Sequence, residues 1–130
     1  MKKLLLLALP LGVGGCLFAA AGAGAGGGIY FSDRGVGSVV TAPVAKASSA
    51  TEQAFQELGI SQKKTSTQQE GTTDKREIDG ATADRDVTVS IQTEGSGSRI
   101  NVVAKKSAVT WDKDFARTIL QRIVKLCENN

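Results

Sequence analysis

Val87-Thr88-Val89-Ser90-Ile91-Gln92 places an apolar side chain at every second position. A strand sends successive side chains to opposite faces, so this stretch reads as a strand with one face in a core and the other in water. Ile100, Val102 and Ala104 repeat the alternation. Between the two runs, Thr93 to Ser98 contains two glycines and reads as a turn, so the two strands pair antiparallel. Upstream, Ile78, Gly80 and Thr82 form a weaker strand, joined through Asp84-Arg85-Asp86. Connections this short predict a β-meander.

The pattern changes period on either side of the meander. Pro43 suits the first turn of a helix, and Ala47, Ala50, Thr51, Ala54, Phe55 and Leu58 recur at helical spacing until Gly59 closes the segment. At the C-terminal end, Phe115, Ile119, Ile123 and Leu126 form one apolar stripe, widened by Ala116, Leu120 and Cys127. Asp112 is placed to cap this helix, with Trp111 just outside it in the position of a staple residue. Val36, Val39 and Val40 suggest a short edge strand. Ile60 opens an extended segment that alternates weakly through Thr67, and Gln68 to Asp74 is expected to be a loop. The sum predicts an α+β fold: a two-layer sandwich with an antiparallel sheet of three to four strands and two helices on one face. Glu77, Asp79, Thr88, Ser90, Gln92, Asn101 and Lys105 are expected on the watery face.

The N-terminal region has a different character. Lys2 and Lys3 precede an apolar run from Leu4 to Leu11, and Val13-Gly14-Gly15-Cys16 closes it. This is the layout of a secretory signal, with Cys16 where a bacterial lipoprotein signal places the acylated residue. Residues 1–15 are read as the signal peptide, cleaved between Gly15 and Cys16. Residues 16–38 are the lipidated cysteine and a Gly/Ala-rich tether, and residues 39–130 are one small α+β domain. Leu4 to Phe31 is also an uncharged stretch of about 28 residues, long enough to span a bilayer if uncleaved. Gly22, Gly24 and Gly27 satisfy G-x-G-x-x-G literally, but no strand precedes them and a charged turn follows, so the match is compositional.

Composition removes several classes of chemistry. The chain has no histidine, which excludes Ser-His-Asp and Cys-His catalysis and His-containing zinc sites. With Cys16 in the anchor, Cys127 is a single thiol, expected to be buried. Without Lys2 and Lys3, the 16 basic residues fall to 14 against 13 acidic ones. A net charge near +1 supplies no field for nucleic acid. The acid pairs Glu77/Asp79, Asp84/Asp86 and Asp112/Asp114 read as a solvated sheet face, a charged turn and a helix cap. The basic pairs Lys63-Lys64, Lys75-Arg76 and Lys105-Lys106 read as a solvated sheet edge, with anionic headgroups as the sharper option. Phe55, Trp111 and Phe115 are the aromatics of the domain, the last two assigned to the core. No catalytic residue, metal site or cofactor is assigned.

The Gly/Ala-rich stretch Ala19 to Gly28 follows Cys16 and runs into Ile29-Tyr30. A helix ends in Ala54-Phe55-Gln56-Glu57-Leu58-Gly59-Ile60, and strands and a terminal helix with Ile119, Leu120 and Ile123 follow. In these features the chain resembles a family of small bacterial lipoproteins with a C-terminal domain of unknown function. It departs from that pattern at Trp111-Asp112, where a Gly-Asp pair is usual. The resemblance carries structural positions and no functional residues. The expectation is a lipid-anchored, non-enzymatic cell-envelope protein facing the periplasm. Its partners would be the membrane, through the anchor, and another envelope protein, with no nucleic acid. Leu17 after the cysteine favours the outer membrane over the inner. The alternative is a periplasmic small-ligand binder with a pocket between helices and sheet.

Overall fold

A computed structural model describes residues 28–107 and 109–129. The signal segment, Cys16 and most of the tether lie outside the described residues. The order is β1 (Tyr30–Phe31), β2 (Gly35–Val40), α1 (Val44–Leu58), β3 (Ser61–Glu70), β4 (Thr73–Ala81), β5 (Asp86–Glu94), β6 (Gly97–Ser107), β7 (Thr110–Trp111) and α2 (Lys113–Asn129). The α+β class holds, but the expected sheet of three to four strands is wrong. One antiparallel sheet of seven strands forms, in the order β1-β2-β6-β5-β4-β3, with β7 beside β6.

The central alternation behaves as its period demands. Ile78, Val89, Val102 and Val36 stand opposite one another across four strands, each at most 1% exposed. The rows Ile91–Ile100 and Val87–Ala104 flank this one on either side. Each fully buried Val or Ile side chain in these rows contributes roughly 1.5–3 kcal/mol over leaving it in water. The opposite face carries Glu77, Asp79, Thr88, Ser90, Gln92, Asn101 and Lys105, all exposed or half-buried, as the alternation requires. Both helices lie side by side on the apolar face, α1 against β4 and β5, α2 against β2 and β6.

The helix ends follow their sequence signals. Gly59 takes φ +72 after α1; its N–H donates to Gln56 O, and that of Ile60 to Phe55 O at 2.8 Å. These two bonds make a Schellman motif, and Phe55 and Ile60 supply its apolar contact. Both pack over Gly80 of β4, where a Cβ would stand 2.7 Å from the Phe55 ring and 2.8 Å from Ile60 Cγ2. Gly80 is therefore the gap through which the end of α1 seats on the sheet. Asp112 caps α2 by accepting from Phe115 N–H at 3.0 Å. On the inner side, Ala116, Ile119, Leu120, Ile123, Val124, Leu126 and Cys127 are buried.

Three regions depart from expectation. The segment Gln68 to Asp74, expected to be a loop, is the tip of a hairpin. β3 runs to Glu70, β4 starts at Thr73, and Gly71 and Thr72 alone turn the chain. Gly71 has φ +61, the conformation a two-residue turn of type II′ needs at its first position. The valine-rich segment, expected at an edge, is flanked by β1 and β6, and most of β2 is buried. Trp111, assigned to the core, lies half-buried in β7 opposite Lys105, with the Arg34 guanidinium 5.6 Å from its ring centre.

Candidate interaction surface

The acid pairs fall where turn, cap and surface residues belong. Glu77 and Asp79 share the outer face of β4, and Asp79 accepts a 3.0 Å hydrogen bond from the Thr88 hydroxyl. Asp84 and Asp112 both bind Arg85, at 2.8 Å each. The Phe115 N–H and then Arg85 hold the Asp112 carboxyl below the usual carboxylate range. The Asp112 and Asp84 contacts in turn raise the Arg85 guanidinium above its ordinary value. A hollow of about 300 Å³ opens there between Leu58, Thr82 and Phe115. Its two carboxylates share one guanidinium, and the cluster ties the β4–β5 loop to the start of α2. Asp114 pairs with Arg117 on the helix surface at 3.5 Å, and Asp86 stands opposite Lys105.

Cys127 is buried under α2, and that burial pushes its thiol up to about 11. The reactive thiolate is thus scarce at neutral pH. Among the described residues no three His, Cys, Asp or Glu side chains gather in a way that could hold a metal ion. No helix among them is long and apolar enough to cross a membrane.

The basic pairs do not converge on one patch. Lys64 stands opposite Asp79 and Lys105 opposite Asp86. Lys75 is exposed on the outer face, whereas Arg76 turns to the inner face near Asp74, 3.8 Å away.

What the basic pair Lys63-Lys64 marks is the strand that carries it. β3 is ten residues long, Ser61-Gln62-Lys63-Lys64-Thr65-Ser66-Thr67-Gln68-Gln69-Glu70. All but Ser66 are exposed, on both faces of the strand. The strand stands at the end of the sheet and, among the described residues, pairs on its β4 side alone. A register shift between Gln62 and Lys64 marks a bulge at Lys63, and from Lys64 to Glu70 the ladder is regular. The opposite end of the sheet is closed differently, by the two-residue β1. A long, regular edge presents a row of unpaired N–H and C=O groups to any strand that approaches.

Sequence reasoning read an extended segment from Ile60 through Thr67 but weighed the lysines and not its edge, and ended it three residues early. The available signal was negative: ten residues rich in Thr, Ser and Gln, with neither proline nor glycine, ahead of a Gly-containing turn.

Comparison with curated proteins finds no match. A family model described as protein of unknown function (DUF3568) matches residues 1–126, nearly the whole chain. The match takes in both the described domain and the N-terminal segment before it, and the chain belongs to this family.

Proposed function

We propose that this is a bacterial lipoprotein, acylated at Cys16 after cleavage from Gly15, facing the periplasm from the outer membrane. It acts by binding another protein and not by catalysis. The reading of location is supported by Lys2-Lys3, the apolar run after them and Gly14-Gly15-Cys16. One acyl chain holds a protein only marginally, and the multiple acylation of a lipoprotein cysteine meets that need. The observation that carries the binding role is the exposed edge of β3. Backbone groups there are free to add a strand, a recurrent mode of protein recognition. Asp84 and Asp112 are occupied with Arg85 and the start of α2, Asp114 with Arg117, and the Cys127 thiol lies in the core.

Intact mass of the protein from the membrane fraction, beside a Cys16→Ala variant, tests the anchor. The expected result is a chain starting at Cys16 with added acyl mass, and no such species in the variant. An unprocessed chain retained in the membrane would overturn it and make Leu4 to Phe31 a membrane span.

A further inference from the structure

We propose that the β3 edge pairs with the β3 edge of a second copy of this chain, antiparallel about a two-fold axis at Thr67. The inference rests on the binding role above and names the partner.

Three independent features select the same register. The first is length. The bulge at Lys63 and the turn at Gly71 bound a regular stretch, Lys64 to Glu70, whose midpoint is Thr67. The second is hydrogen-bond direction. Glu70 and Thr73 close a two-residue turn, so they exchange hydrogen bonds with each other, as do alternate pairs along the ladder. Ser66, Gln68 and Glu70 thus spend their backbone groups on β4, and those of Thr65, Thr67 and Gln69 point away from it. A two-fold at Thr67 sets Thr67 against itself and Thr65 against Gln69 of the other copy. All the outward groups then meet in about six N–H···O bonds. The third is charge. The same two-fold sets Lys64 opposite Glu70, twice by symmetry. Shifting the axis by one residue along the strand moves Lys64 away from Glu70.

Of the usual defences of an edge, this stretch carries one lysine, Lys64, which the two-fold register sets opposite Glu70. Proline, a bulge or a turned-in charge would block pairing, and the one bulge lies at Lys63, outside it. Growth also stops at two copies. Among the described residues, each subunit's other edge is the two-residue β1, too short to extend the ladder. The pair is closed and symmetric, the commonest form of a soluble oligomer interface.

The test is sedimentation of the full-length chain in detergent over a range of concentrations, beside Lys64→Glu, Lys64→Glu/Glu70→Lys and Thr67→Pro. A dimer is expected. Lys64→Glu, which sets like charges opposite each other twice, weakens it about tenfold. The double variant restores it, and Thr67→Pro, which removes an outward donor at the axis, abolishes it. A monomer at every concentration overturns the proposal, as does a dimer that ignores the charge swap. Because the swap keeps every backbone group, the register remains testable even if Thr67→Pro misfolds. Mass measurement at Cys16 on the same material separates the two readings. An unacylated chain that follows the swap overturns the anchor alone, and an acylated monomer overturns the pairing alone.

Discussion

The hairpins β3–β4 and β5–β6 share a backbone design and differ in everything their side chains do. Each turns through two residues, with a glycine at φ +61 in the first position: Gly71 in one, Gly95 in the other. In β5–β6 the inward Val87, Val89, Ile91, Ile100, Val102 and Ala104 are all at most 1% exposed. In β3 the inward positions Thr65, Thr67 and Gln69 extend past the helices into water. The contrast teaches that hydrophobic alternation records a covered face and not the presence of a strand. β3 is templated by its turn and by β4; α1 touches it but leaves its side chains exposed.

The largest effect that can break this comparison is a cavity in the buried hairpin. Ile100→Ala should lower the free energy of unfolding in urea by about 2–5 kcal/mol. Thr67→Ala, at a fully solvated position of β3, should stay within about 0.5 kcal/mol. Equal losses would mean that β3 is as integral to the core as β6.

Gly80→Val probes the place where the two hairpins share a helix. The added side chain meets the Phe55 ring and Ile60, so a loss of about 1–3 kcal/mol is expected in the same assay. A neutral result would show that the end of α1 is free to lift from the sheet.

Asp112→Ala removes the cap of α2 and a partner of Arg85, and should cost about 1 kcal/mol. Its pH dependence has a definite sign. Folding lowers the Asp112 pKa, so the unfolded chain binds the proton more tightly. The stabilisation is present above the unfolded carboxylate value, about 3.9, and is lost as pH falls through the lower folded value. Denaturation curves from pH 7 to pH 2 should show that loss in the native chain and not in Asp112→Asn. A native curve that runs parallel to the variant's would remove Asp112 from the account.

The smallest expected effect is at the turns. Gly71→Ala and Gly95→Ala each place a Cβ at positive φ, for about 1 kcal/mol of local strain apiece. In β5–β6 that strain falls inside the packed sheet and should appear in global stability. In β3–β4 it is relieved by opening the tip, so hydrogen exchange near Glu70 and Thr73 should quicken with little change in global unfolding.

Residues legible in advance were those whose physics is local or periodic. Val89 and Val102 announce a half-buried strand, Gly59 a left-handed cap and Asp112 an N-cap, and the structure places each so. β3 was legible in part: weak alternation marks an extended segment through Thr67, but Gln68, Gln69 and Glu70 look alike in a loop and in a strand bathed by water on both sides. β1 and β7 are two residues each, too short for any period, and each exists by folding back on the strand next to it in sequence. Trp111 was misplaced for the same reason: its position opposite Lys105 is set by the pairing of β7 with β6, which composition does not reveal.

Residue-by-residue amide exchange along β3 in dilute protein tests the central claim most directly. The account predicts alternation: slow exchange at Ser66, Gln68 and Glu70, whose N–H groups bind β4, and fast exchange at Thr65, Thr67 and Gln69. Raising the concentration should slow those three as the second copy docks. Uniformly fast exchange from Lys64 to Glu70 would contradict it, for then no ordered edge would exist to recognise anything.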